Sequence, residues 1–301
     1  MTNAQEVFLS IVIANYNYGR FLPDALKSIV SQCGMPVLDD DGRPVLPIVG
    51  CDNCFVEIII CDAGSTDNSR TIINDYSDKL SWWCSEKDRG QSEAFNKGFS
   101  RARGRWLTWL NADEVYIPGT LQALVKLDKK NPDAKWVTSN RISFDDKTKK
   151  ITHLTWGPHT QAVFMRWNRA PFSVFGPTSF FRRETYLKVG PIDEALHYAM
   201  DYDYWARLTM AGYRQVRLNR FSWAFRVHEE SKTAGEIDSA TKCRQEQELK
   251  YLRDKSRYYY QFSFRNVWYV IWLVMRMLDG SLFVRSYMRF KYVGRSIGDV
   301  C

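Results

Sequence analysis

The sequence predicts an α/β fold: a mostly parallel central sheet with helices on both faces, then a helical, basic and aromatic C-terminal extension. Three observations predict it. Short apolar, β-branched runs alternate with segments of helical spacing through roughly the first 110 residues, the rhythm of right-handed βαβ crossovers. A polar cluster follows these runs where the open end of a parallel sheet binds ligands. The last part of the chain changes character, with Lys, Arg and aromatic residues interleaved.

The elements follow in order. Phe8 to Ala14 reads as a buried strand broken by Asn15-Tyr16-Asn17-Tyr18-Gly19, and Phe21 to Gln32 puts Leu22, Ala25, Leu26 and Ile29 on one helix face. Residues 33–55 interrupt the rhythm with Pro36, Pro44, Pro47, three glycines and Asp39-Asp40-Asp41. They read as an inserted loop with a small hairpin around Asp41-Gly42. Val56 to Cys61 is the second buried strand, and Ser65 or Thr66 is placed to cap a helix beginning near Asp67. Leu80 to Cys84 is a strand, Ser92 to Arg101 a helix, and Trp106 to Leu110 a strand. Beyond these, Trp136 to Phe144 reads as a strand and Phe172 to Arg182 returns toward the sheet. Tyr202 to Ala211 is a helix and Arg214 to Leu218 a strand. Ser239 to Tyr258 is a polar helix, and Phe264 to Leu278 and Leu282 to Tyr292 are apolar and basic together.

The chain has 301 residues, 45% hydrophobic and 25% charged, which excludes a disordered tail, a collagen-like chain and a small disulfide scaffold. Net charge is +8, from 42 basic and 34 acidic residues. Residues 241–301 hold 12 Lys and Arg against 5 Asp and Glu, so residues 1–238 form a nearly neutral catalytic-type body and 239–301 a basic extension. A basic end points to a local docking surface, and no nucleic-acid partner is expected. Cysteines stand at 33, 51, 54, 61, 84, 243 and 301. Their odd number and the polar start Met1 to Glu6 suggest reduced thiols in a cytoplasmic protein. No apolar stretch is long enough to cross a membrane.

Four clusters carry chemistry. In Asp62-Ala63-Gly64-Ser65-Thr66-Asp67 the first carboxylate can accept the imide N–H of a uracil, and Gly64 lets the backbone approach a ligand; the bland alternative is a capping turn. Asp88-Arg89-Gly90-Gln91-Ser92 offers a carboxylate, a guanidinium and a flexible glycine at a helix start, suited to sugar and phosphate. Asn111-Ala112-Asp113-Glu114 ends a buried strand in oxygen donors fit for a divalent metal against a diphosphate. Met200-Asp201-Tyr202-Asp203 places a carboxylate among aromatics at a helix start, a candidate general base.

Together, in order and at this spacing, these residues resemble the family 2 glycosyltransferases, inverting enzymes of GT-A fold. The resemblance covers roughly residues 7–32 and 56–235, and continues through Thr178 to Arg183, Gly190 to Asp193 and Arg226-Val227-His228. It implies that Asp62 contacts the base of a nucleotide-sugar donor, with Ala14, Asn15 and Tyr16 lining that pocket. Gly64, Asp88, Arg89 and Gly90 would sit around the base and ribose, with Asn111 and Ala112 beside the diphosphate. Asp113 matches the carboxylate that holds Mn²⁺ or Mg²⁺, with His228 a further metal or diphosphate contact, and Asp201 matches the catalytic base. The donor implied is a UDP-sugar, and the acceptor a saccharide or lipid-linked saccharide in surface polysaccharide or glycolipid assembly.

The departures are specific. Asn111 stands where the family has the first carboxylate of Asp-x-Asp; Glu114 could assist the metal, and Asp203 is the rival base. Two features lie outside the resemblance. Cys51 and Cys54, with Cys33 and Cys61, could form a zinc site, plain thiols or a labile disulfide. The basic, aromatic stretch 258–295 suits a peripheral contact with the inner face of the cell membrane, packing on the body or an oligomer partner, or stacking with nucleic acid. Alternative functions are a nucleotide-sugar-binding protein of the same fold without turnover, and a sugar-phosphate nucleotidyltransferase. A dinucleotide oxidoreductase is disfavoured because no GxGxxG follows the first strand.

Overall fold

The structure is a computed structural model, and it describes residues 6–156, 176–232, 239–255, 273–274, 276–278 and 280–300. Its framework is an eleven-stranded sheet. The amino-terminal half supplies β1 (Val7–Asn15), α1 (Leu22–Val30), β2 (Val37–Leu38), β3 (Pro44–Pro47), β4 (Phe55–Asp62), α2 (Ser69–Asp75), β5 (Trp82–Ser85), α3 (Gln91–Arg101), β6 (Trp106–Asn111), β7 (Val115–Tyr116) and α4 (Thr120–Lys130). The rest supplies β8 (Trp136–Asp145), β9 (Ile151–Thr155), β10 (Ser179–Arg182), α5 (Arg183–Val189), α6 (Met200–Met210), β11 (Gln215–Val227), α7 (Ser239–Lys255) and α8 (Ser281–Tyr292).

The centre is parallel, as the buried runs require. β1 pairs β4 on one side and β6 on the other, β4 pairs β5, and β8 pairs β11, all in parallel. β10 breaks the pattern, inserting antiparallel between β6 and β8. The expected hairpin in the insertion exists: β2 and β3 pair antiparallel, and β3 adds itself to the edge of β4.

Two apolar layers hold the sheet. On one face α1, α2 and α4 cover β1, β4 and β6 through Leu22, Leu26, Ile73 and Leu124. On the other, α3 and α6 build an aromatic layer in which Trp205 stacks on Trp109 at 5.1 Å and on Trp136 at 5.7 Å. α3 lies so close to β1 that a side chain at Gly98 would meet Val12 Cγ1 at 2.2 Å. A third, smaller cluster around Ile142, Leu154 and Phe221 is covered by Val284, Met288 and Tyr292 of α8.

Two expectations need correction. The strand foreseen at Arg214 to Leu218 runs on to Val227. The polar pair Asn219-Arg220 looks like a turn, but the pairing with β8 shifts register between Arg217 and Phe221, and Arg220 donates to the carbonyls of Pro118 and Gly119. Neither Ser65 nor Thr66 caps α2, which starts at Ser69; the Asp67 carboxylate accepts the Ser69 N–H at 2.9 Å instead. Among the described residues no three His, Cys, Asp or Glu side chains gather as a metal group. Cys33, Cys51 and Cys54 are free thiols, and Cys61 lies beside Cys84 across β4 and β5, whose thiol contact holds Cys61 above the ordinary thiol range. Residues 264–272 and 275 of the expected segment Phe264 to Leu278, 256–258 of the helix Ser239 to Tyr258 and 172–175 of Phe172 to Arg182 lie outside the described residues. β7, β9, α4 and α5 have no counterpart in the sequence reading.

Candidate donor and catalytic site

A cleft of about 740 Å³ opens at the carboxyl ends of β1, β4 and β6. The parallel register brings it about: Ala14 stands beside Cys61 on one side and Asn111 on the other, so three loops leave the sheet at one level. Two of these loops are clasped together. Asn17 Oδ1 accepts the Thr66 N–H at 2.8 Å, Ser65 Oγ accepts the Asn17 N–H at 2.8 Å, and Asp67 accepts the Gly19 N–H at 2.8 Å. Asn17 takes a positive φ of 54°, which asparagine tolerates better than most residues. Gly64, at φ 75°, turns the β4 loop under the cleft.

Ala14, Asn15, Tyr16, Gly64, Asp88, Arg89, Gly90, Asn111 and Asp113 all line the cleft. Four other expected site residues do not. Ala112 is fully buried and its N–H bonds the Ala14 carbonyl. Asp62 is buried too, and all its contacts are internal. Oδ1 accepts Asn15 Nδ2 at 2.6 Å and Ser65 Oγ at 2.5 Å; Oδ2 accepts the Ser65 N–H at 3.0 Å and Ser85 Oγ at 2.6 Å. A nucleotide base could reach it only by exchanging one of these bonds. His228 and Asp201 are not among the lining residues.

His228 is nonetheless in the site, because its Nε2 is 3.0 Å from Asp113 Oδ2 and both side chains are buried. Its other ring nitrogen, Nδ1, is buried with no hydrogen-bond partner. Arg226 sets the pair from behind. It donates to the Asp113 main-chain carbonyl at 3.0 Å and to Asp146 and Asp24 at 2.7 Å. Glu114 does not help at the cleft: it turns inward, accepts the Asn111 N–H at 3.2 Å, and burial, then the Asp113 charge, push its carboxyl well above the usual range. Asn111 Oδ1 accepts from Gln91 at the start of α3. Asp113 Oδ2 and His228 Nε2, 3.0 Å apart, are spaced as neighbouring ligands of one cation would be, and could hold Mn²⁺ or Mg²⁺ provided a diphosphate supplies further oxygens.

Asp201 opens α6, with Oδ1 accepting the Tyr202 N–H at 2.8 Å. Burial pushes its carboxyl up to about 6, and the nearby charges of Arg141 and Lys232 pull the other way. Asp203, the rival base, is held by Arg207 at 2.7 Å on the packed side of the helix. Sequence reasoning missed Arg141, Lys232 and Tyr18, and quoted Arg226 within the resemblance without giving it a role. Arg141 stands over the rings of Trp223 and Phe225 and faces Asp201 and Glu114. The available signal was the one charged residue in the otherwise uncharged stretch 136–144. Lys232 lines the cleft and donates to the His197 carbonyl.

The family model for glycosyl transferase family 2 matches residues 10–190, which include the cleft lining from Ala14 to Asp113. The chain belongs to that family. An uncharacterized glycosyltransferase of a Nostoc species is 32% identical over 195 residues, covering 62% of this chain and 54% of that protein. One from Methanocaldococcus jannaschii is 22% identical over 223 residues, covering 73% and 70%. The chain thus spans little more than half of its Nostoc relative. Among solved structures, Staphylococcus aureus TarS 1-349 with UDP-GlcNAc superposes at a TM-score of 0.57 with 14% identity, covering 77% of this chain and 62% of that one. The mannosyltransferase PcManGT of Pyrobaculum calidifontis, with GDP-Man and Mn²⁺, superposes at 0.53 with 18% identity, covering 81% and 62%. These likenesses establish the GT-A fold of family 2 and leave the substrates of this chain to its own residues.

Proposed function

We propose that this glycosyltransferase moves a sugar from a nucleotide-sugar donor, a UDP-sugar in the first instance, to an acceptor hydroxyl with inversion at the anomeric carbon. The observation that carries the reading is the buried Asp113–His228 pair at the lip of the cleft, braced by Arg226. The nucleoside occupies the cleft between Tyr16, Gly64 and Asp88, with Arg89 and Lys87 at its mouth. Asp113 and His228 would hold Mn²⁺ or Mg²⁺. When bound, the cation neutralises charge on the departing diphosphate.

Asp201 takes the proton of the acceptor hydroxyl. The hydroxyl oxygen forms a bond to the anomeric carbon, the bond to the diphosphate oxygen breaks, and the nucleoside diphosphate leaves with the electron pair. A single displacement inverts the configuration. Arg141 keeps Asp201 available as a base by opposing its neutralisation. The acceptor class is a saccharide, free or lipid-linked, of the kind used in surface polysaccharide or glycolipid assembly at the cytoplasmic face of the membrane. Among the described residues no helix is long and apolar enough to cross a membrane.

One observation favours a second reading. Asn111 brings no charge, and its oxygen is engaged by Gln91, so a nucleotide-sugar-binding protein without turnover fits the same cleft. The deciding experiment is a thermal-shift screen of nucleoside diphosphates and nucleotide sugars with and without Mn²⁺, followed by assay of nucleoside diphosphate release. A metal-dependent shift with release in the presence of acceptor supports transfer. Binding without release of any product supports the second reading, and release of inorganic diphosphate from a sugar phosphate and nucleoside triphosphate overturns both.

A further inference from the structure

Helix α8 presents three distinct faces. Val284, Met288 and Tyr292 turn inward onto the cluster around Ile142 and Leu154. On the opposite side Phe283 is 64% exposed, Tyr287 60% and Phe290 90%. In helical projection Arg285 and Arg289 flank this aromatic face on one side and Lys291 on the other. Leu278, 83% exposed just before the helix, extends the apolar surface. From 280 to 298 the chain carries Arg285, Arg289, Lys291 and Arg295 and no Asp or Glu.

Exposed aromatics in such number are rare on a surface that faces only water, and they mark a covered face. The charges say what covers it. A second copy meeting this face by a two-fold axis would bring the same cations against one another. A surface of anionic lipid headgroups answers them, while the aromatic bodies enter the interfacial layer and the helix lies flat. We propose that α8 is a docking surface for an anionic lipid bilayer, with Phe283, Tyr287 and Phe290 in the interface and Arg285, Arg289 and Lys291 on headgroup phosphates.

The docking has a consequence for the reaction proposed above, on which only this consequence rests. α8 packs on β9, β9 pairs β8, and β8 carries Arg141 toward Asp201. His153 of β9 lies within reach of the charges of Arg141, Arg285 and Arg289, so the basic helix and Arg141 both stand near β9 at this edge of the sheet. A chain seated on α8 turns that edge toward the bilayer, where a lipid-linked acceptor would present its hydroxyl.

Co-flotation of the full chain with phosphatidylcholine vesicles, with and without phosphatidylglycerol, tests the docking. Partitioning onto the anionic vesicles should exceed that onto neutral ones by about tenfold or more and fall with salt. The triple variant Phe283→Ser, Tyr287→Ser, Phe290→Ser and the double variant Arg285→Gln, Arg289→Gln should each lose about tenfold. Phe283, Tyr287, Arg289 and Phe290 are exposed and Arg285 is half-buried, and unchanged thermal melting is the folding control. Equal partitioning onto both vesicle types, or undiminished partitioning by the triple variant, overturns the proposal. So does a wild-type dimer, measured by light scattering, that the triple variant dissolves while neither binds vesicles; a second copy would then be the occupant. None of these readouts depends on sugar transfer, so a failure of docking is distinguishable from a failure of the catalytic reading.

Discussion

The imidazole Nε2 of His228 stands 3.0 Å from Asp113 Oδ2, joining the end of β11 to the loop after β6 across 115 residues of chain. Both side chains are buried, and the second imidazole nitrogen has no hydrogen-bond partner. Two groups acting on one cation and its diphosphate should be coupled. Asp113→Asn and His228→Ala are each expected to remove most of the Mn²⁺ dependence of nucleoside diphosphate binding. The double variant should lose far less than the sum of the two. Calorimetric titration of UDP or GDP with and without Mn²⁺ reads this directly, and fully additive losses would show that the pair does not share a ligand.

Arg226 is the second element of the same arrangement, and a positioning role is proposed for it. Its guanidinium spans the Asp113 carbonyl, Asp146 and Asp24 while lying over the rings of Phe21 and Phe144. Arg226→Met leaves partners of a buried cation uncompensated, a loss of about 3 kcal/mol, and the melting temperature should fall by roughly 5–10 °C. Arg226→Lys keeps a charge but cannot reproduce three directed contacts. It should melt closer to the wild type yet need more Mn²⁺ for half-maximal activity. A lysine variant with unchanged metal requirement would assign Arg226 to stability alone.

Asp62 offers a sharper choice between two roles. The resemblance assigns it to the nucleotide base, whereas its four hydrogen bonds tie together Asn15, Ser65 and Ser85. A scaffold role predicts that Asp62→Ala weakens all nucleotides alike and lowers the melting temperature, since buried donors lose their acceptor at about 1–3 kcal/mol each. A base contact predicts instead a changed ratio of UDP to GDP affinity with little change in melting. The observed hydrogen bonds favour the uniform loss, and paired titrations of the two nucleotides decide it.

What the sequence made legible has a physical pattern. The buried strands β1, β4 and β6 could be read because a parallel strand covered on both faces must be a continuous apolar run. Their loops could be read because ligand chemistry concentrates at their carboxyl ends. Arg141 and Arg226 could not, since each works through partners far away in the chain: Arg141 reaches Asp201 from β8, and Arg226 reaches Asp24 and Asp113 from β11. The extent of β11 was hidden by Asn219-Arg220, because a bulge and a turn use the same residue types. Ala112 shows the converse error. It sits within a motif of polar residues, but in the turn just after β6 its N–H is tied to the Ala14 carbonyl and its methyl is buried.

Asp201 makes the strongest prediction, because it binds pH, stability and catalysis into one residue. Burial raises its carboxyl to about 6, against the ordinary value of 3.8. A base must be ionised to act, so the rate should rise with pH through about 6 and level above it. Arg141 opposes the shift, so Arg141→Met should move that limb to higher pH. Stability runs the other way. The folded chain holds the proton more tightly than the unfolded chain, so stability is highest below the unfolded value and declines as pH rises through the folded one. At pH 7 the ionised carboxylate therefore costs roughly 1–3 kcal/mol. Asp201→Asn should abolish sugar transfer, leave nucleotide binding intact, and raise the melting temperature at pH 7 but not at pH 4. Melting curves at the two pH values, beside an activity profile, read all three consequences. Near wild-type turnover in Asp201→Asn would remove Asp201 as the base, and an equal change in melting at both pH values would remove burial as the source of its raised pKa.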